Sequence, residues 1–221
     1  MDEPESVQAA AGAEQAVPAS PPSDALIIIP VRDLVLFPGM VIPVTVGRDR
    51  SIAAAQHALR DQRQVGILMQ REAETADPVA ADLHRIGTVA NIVRYITAPD
   101  GSHHLVCQGE ERFEVLEFLN GWPFLVARVQ RIPDAIAVPM TSEVEARFLH
   151  LRTQALEALE LLPQAPQQLV EAVQSASAPG ALTDLVASYM DEKSEEKQII
   201  LETVDVAARM EKVSRIFAHR I

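Results

Sequence analysis

From Leu26 to about Pro133, apolar residues either alternate with polar ones or gather in β-branched runs broken by Gly and Pro. This period of two predicts short strands over 26–31, 41–46, 65–69, 86–95, 105–108, 112–118 and 124–132. Pro99-Asp100-Gly101 predicts a hairpin turn, because Pro fixes φ and Gly tolerates positive φ, and Asn120-Gly121-Trp122-Pro123 predicts the next turn. A single helix interrupts this pattern over 49–61, with Asp49 as its N-cap and Ile52, Ala55 and Leu59 on one face. One helix against about six strands points to a small twisted barrel or open sheet.

After Pro133 the period lengthens to about 3.6. Ser142 with Glu145 has capping-box spacing, and Val144, Phe148, Ala155, Leu159 and Leu162 share a stripe that Pro163 and Pro166 end. Further helices are predicted over 167–175, 179–190, 195–202 and 206–221, the last with Asp205 as its cap. Short polar breaks between them suit an antiparallel bundle. The expectation is therefore an α+β chain. Its parts are a disordered Ala/Pro/Glu/Ser tail over 1–24, a β-rich lobe over 25–133, a linker over 134–140 and a bundle of about five helices over 141–221. The last helix carries no Gly, Asn or Pro to end it, so the natural chain is expected to continue.

Composition narrows the function classes. The net charge is -12, and five acids without a base fall in residues 1–24, which leaves 26 acids against 19 bases in the rest. With no basic cluster in sight, nucleic acid is disfavoured as a partner. No apolar run approaches the roughly 20 residues of a membrane span, and the acidic start is unlike a secretory signal. Cys107 is the only cysteine, which excludes an internal disulfide and fits a reducing cytoplasm.

Catalytic motifs are missing: there is no GxxxxGK[ST] loop, no GxSxG elbow and no HExxH helix. Lys193, Lys197 and Lys212 read as solvated charges on polar helix faces rather than as partners of a nucleophilic serine. His103 and His104 are neighbours in a strand and point to opposite faces, so they cannot chelate one metal together. Glu110, Glu111 and Arg112 follow Gly109 and read as a solvated turn with one ion pair. No cofactor or metal site is expected.

The most informative segment is RDLVLFPGMVIP, residues 32–43, where large apolar groups crowd around a turn-forming Pro38-Gly39. They either plug the barrel or stay exposed as a patch that binds other proteins. The second reading makes Leu36, Phe37, Pro38, Met40, Ile42 and Pro43 the candidate substrate-binding residues, with Phe37 and Met40 as exposed anchors.

At this segment the chain resembles a known family. IIPVRDLVLFPGMVIPVTVGRDRSIAAAQHAL is similar to the start of the N-terminal domain of the ATP-dependent Lon proteases, whose opening is close to LPLRDxVxFPxMxxPLxVGRxxS. The likeness continues through Asp82-Leu83, Ile86-Gly87-Thr88-Val89-Ala90, Pro99-Asp100-Gly101, and Gly109 with Arg112, and the five predicted helices fit its second lobe. Val31 and Val44 replace the usual Leu, and the acidic leader is longer than the family's. The resemblance implies a PUA-like β lobe and a non-catalytic module of a cytoplasmic bacterial protease. That module captures unfolded or degron-bearing proteins and adaptors and supports self-association into a hexamer. ATP, Mg and the serine-lysine catalytic residues would belong to an ATPase and a protease domain outside this chain. The alternative is a free-standing PUA-like adaptor that binds RNA or a small ligand. An autonomous enzyme is disfavoured by every missing motif.

Overall fold

The computed structural model describes residues 19–134, 140–161 and 164–218. Six strands build the first part: β1 (Ala25–Val31), β2 (Val41–Val46), β3 (Val65–Met69), β4 (Ile86–Thr97), β5 (His103–Leu119) and β6 (Leu125–Ile132). β1 runs parallel to β3, and all other pairings are antiparallel. The order β2-β5-β4-β3-β1-β6 is closed by a further β5–β6 pairing, so the sheet is a barrel rather than an open sheet.

The length of β5 makes this closure possible. Its first half, 103–108, pairs with β2 on one side, while its second half, 112–119, pairs with β6. The two strands expected at 105–108 and 112–118 are thus one, running through Gly109. β1 is buried on both faces: Ile27, Ile29 and Val31 join one apolar cluster, whereas Leu26 and Ile28 join another around Phe113.

Helix α1 (Asp49–Arg60) covers the barrel. Arg48 rather than Asp49 is its N-cap, and its buried residues are Ser51, Ala54, Ala55, His57 and Ala58, with Ile52 half-buried and Leu59 exposed. The buried face is rotated from the expected one because alanines let the helix approach the strands closely, which leaves the larger side chains at the margin.

The second part holds α2 (Ser142–Glu160), α3 (Gln167–Ser175), α4 (Pro179–Tyr189), α5 (Ser194–Glu202) and α6 (Val206–Ala218). Thr141, not Ser142, caps α2, its side chain accepting from the Val144 backbone N–H. Asp205 caps α6 by accepting from the Ala208 N–H at 2.7 Å. Leu162, Pro163, residues 135–139 of the expected linker 134–140 and the chain end at 219–221 lie outside the described residues. At the other end, part of the expected tail is held in place. Arg63 donates to the Pro22 carbonyl at 2.8 Å, Trp122 to the Ala19 carbonyl at 2.5 Å, and Arg128 to Asp24 at 2.7 Å.

Candidate functional site

The β1–β2 loop joins the two lobes. Phe37, Pro38, Gly39 and Met40 form a turn closed by the Met40 N–H donating to the Phe37 carbonyl at 3.2 Å, with Gly39 at φ 78° in the position that needs a left-handed residue. Gly39 also donates to the Gly109 carbonyl at 2.9 Å, and Gly109 to the Met40 carbonyl at 2.8 Å. A Cβ on Gly109 would stand 2.6 Å from the Phe37 carbonyl oxygen, so only glycine lets the turn dock on β5. The docked turn drives Phe37 into the core of the helical lobe, where it is 0% exposed among Val144, Leu182, Met210 and their neighbours.

This corrects the expectation that Phe37 is an exposed anchor. It is a plug, and of the helical bundle rather than the barrel. Leu36 is likewise buried, in the barrel's apolar cluster, with its carbonyl accepting from the Thr88 hydroxyl at 2.5 Å. Pro38, Met40 and Ile42 are half-buried, and Ser188 on α4 donates to the Met40 sulfur at 3.3 Å. Pro43 is exposed on β2, as is its neighbour Val41. β2 pairs with β5 alone, so proline here sits on an edge strand, where a missing N–H is tolerated.

A buried charge cluster fixes the same joint. Arg112, fully buried within β5, grips Asp184 of α4 through two bonds of 2.7 and 2.8 Å and donates to the Leu201 carbonyl at 2.9 Å. Arg209 of α6 holds Asp134, just past β6, at 2.8 and 2.9 Å, and its Nε lies 3.2 Å from Asp184. Two guanidiniums face two carboxylates, which is the pairing a buried charge requires. Burial pushes the Asp184 carboxyl above its ordinary value, against the pull of Arg112 and Arg209. Arg112 is therefore not part of a solvated turn: it is the centre of the interface between the lobes. Gln198 and His84 extend that interface, donating to the Ile86 carbonyl at 2.9 Å and meeting Glu202 at 2.9 Å.

The residues that could suggest catalysis are engaged otherwise. The Lys197 ammonium donates to the Ser188 carbonyl at 2.9 Å, while the Ser188 hydroxyl turns to Leu185 and Met40, so these two side chains do not pair as a serine-lysine dyad. Lys197 is half-buried rather than solvated; burial lowers its pKa, with Asp191 and Glu192 acting against that. His103 contacts the Tyr95 hydroxyl at 2.8 Å, and His104 contacts Ser102 and Thr45 at 2.9 and 3.1 Å. Cys107 is buried, and that burial pushes its thiol up to about 12.

The helical lobe holds a feature that the sequence pattern did not reveal. A groove of about 460 Å³ opens between α2, α3, α4 and α6, walled by Leu159, Leu161, Leu169, Val173, Leu185, Tyr189 and Phe217, with Asp191 and Glu192 at its rim. Leu161 is 72% and Tyr189 64% exposed. Ligand and partner sites on proteins commonly take the form of a contiguous apolar hollow of this size. Ser188, which contacts the Met40 sulfur of the turn, directly precedes Tyr189 of the groove wall.

A family model described as the ATP-dependent protease La (LON) substrate-binding domain matches residues 25–219. The chain is 58% identical over 203 residues to a Lon protease of Methylocella silvestris, covering 91% of the chain and 25% of that protein. It is 52% identical over 201 residues to one of Phenylobacterium zucineum, covering 90% and 25%. The chain thus spans about a quarter of the length of these curated relatives. Its fold is similar to the N-terminal domain of a Mycobacterium avium complex Lon protease, with a TM-score of 0.75 at 22% identity over 89% of this chain and 100% of that one. It is also similar to a Lon N-terminal domain protein from Xanthomonas campestris, with a TM-score of 0.61 at 20% identity over 86% and 97%.

Proposed function

The chain belongs to the family of substrate-binding domains of the ATP-dependent protease La (LON), and from that premise we propose that it captures unfolded or degron-bearing proteins and adaptors by seating an apolar segment in the α2–α3–α4–α6 groove. The observation that carries this is the groove itself, an accessible apolar hollow with a large aromatic side chain at its mouth. Unfolded chains differ from folded ones in their exposed apolar groups, and aromatic anchors in a desolvated pocket supply most of the affinity of such contacts. In the whole protein, a cytoplasmic protease using ATP, Mg and a serine-lysine pair outside this chain, the domain would deliver what it holds and support the hexamer.

Of the residues singled out on the β1–β2 segment, Pro38, Met40, Ile42 and Pro43 stay as a second contact beside the exposed Val41. Leu36 and Phe37 act indirectly, by fixing the lobe that carries the groove. The test is photo-crosslinking. Benzoylphenylalanine placed at Leu161 should capture a denatured model protein, and the same probe at the exposed Leu116 on β5 should not. Equal capture at both positions would contradict the assignment of the groove.

A further inference from the structure

A second hollow, of about 470 Å³, lies where the end of β1, the end of β2 and the first turn of α1 meet. One side of it is cationic. Arg48 donates from Nε to the Ala76 carbonyl at 2.6 Å and from Nη2 to Gln70 Oε1 at 2.6 Å and the Thr75 carbonyl at 3.3 Å. All of these acceptors are neutral, and its Nη1 takes part in none of the bonds. Arg32 is exposed and makes no hydrogen bond or ion pair with a described residue. The two guanidiniums feel each other: the pKa of Arg48 is lowered first by burial and then by the charge of Arg32, with Asp77 opposing. Asp77 is itself engaged by Arg50 at 3.3 Å, and Asp49 does not line the hollow.

Two further features border the same space, although Arg48 and Ser51 also line a smaller hollow beside Asp77. No side chain caps α1, so the N–H donors of its first turn are free for an anion. Ser51, in that turn, lines the hollow and is only 3% exposed, yet its hydroxyl has no partner among the described residues. The remaining wall is aliphatic, formed by Leu34, Val44 and Val46. A ligand matching both walls carries one negative group directly beside an apolar side chain. The last residue of a polypeptide has this form, whereas a free phosphate would leave the aliphatic wall uncovered.

We propose that this hollow is a subsite for the C-terminal carboxylate of a captured polypeptide, held by Arg32, Arg48, Ser51 and the first turn of α1 while the terminal side chain packs on Leu34, Val44 and Val46. The inference deepens the capture reading and rests on it. The test uses the full chain and a fluorescein-labelled unstructured peptide ending in Leu, offered as the free acid and as the C-terminal amide. By anisotropy the free acid should bind at least about tenfold tighter, within the range that a charge-assisted contact supplies. Arg32→Gln and Ser51→Ala should each remove most of that preference with an unchanged thermal midpoint, since Arg32 is exposed and the Ser51 hydroxyl makes no hydrogen bond with a described residue that its loss would break. Leu161→Asp should weaken acid and amide alike and leave their ratio intact, which separates failure of the groove from failure of the subsite. Equal binding of acid and amide, or a preference untouched in Arg32→Gln, would overturn the proposal. So would displacement of the acid's advantage by inorganic phosphate at equal concentration, because the hollow would then be a site for free anions.

Discussion

Cys107 shows how a single side chain ties the barrel to pH. It lies on β5 opposite Ile42 of β2 and Ile92 of β4, in the apolar cluster behind α1. Burial pushes its thiol up to about 12 from an ordinary 9.0. A thiol with a raised folded pKa keeps its proton in the native state while the unfolded chain loses it, so stability falls as pH rises from 9 towards 12. At pH 10 the loss amounts to about 1.4 kcal/mol. Urea midpoints at pH 8 and pH 10 check this: wild type should lose that much more than Cys107→Ala over the same interval, in which all other groups titrate in both proteins. An equal loss in both would contradict the burial argument. The same burial makes the thiol unreactive, so Cys107 is a small core residue.

Among the elements, β5 and the turn docked on it decide the architecture. A Cβ at position 109 would meet the Phe37 carbonyl oxygen, which belongs to backbone and cannot swing aside. Gly109→Ala should therefore push the turn off β5, withdraw Phe37 from the helical core and destabilise the fold by about 1 to 3 kcal/mol, the range for overpacking. An unchanged denaturation midpoint would show that the turn docks otherwise. This element also marks where the sequence stops being legible. Strand and helix positions followed from local period, because one face of each element is buried: α3, α4 and α6 begin at the expected residues. Gly109 read as a break because glycine inside a strand has no local rationale. Its reason is the Phe37 carbonyl, 72 residues away along the chain, a contact that no local window of sequence contains. The same holds for Arg112, whose partner Asp184 is a lone carboxylate on the apolar helix PGALTDLVASY. That misplaced charge is the one signal from which the buried cluster could have been found. The groove left no such signal, since its wall residues have the spacing of ordinary core positions.

At the scale of the molecule, the switch from strand to helix near residue 133 predicts lobes that unfold semi-independently. The structure argues against that expectation. Phe37 from one lobe is packed in the core of the other, and Arg112 carries a charge whose partners lie across the boundary. Calorimetry of the wild type should show one transition with equal van't Hoff and calorimetric enthalpies. Phe37→Ala, which removes the plug at a cost of about 3 to 5 kcal/mol, should broaden or split it. Two transitions in the wild type would restore the independent lobes.

The joint between the lobes leaves the apolar groove of the helical lobe accessible. The groove's role in capture is tested most directly by Leu161→Asp, which sets a charge at its most exposed apolar position without touching the core. Affinity for a fluorescein-labelled denatured protein, measured by anisotropy alongside the thermal midpoint, should fall by roughly tenfold or more, the scale of an interface hot spot. The midpoint should stay where it is. Wild-type affinity in this variant would contradict capture by the groove and place recognition elsewhere on the molecule.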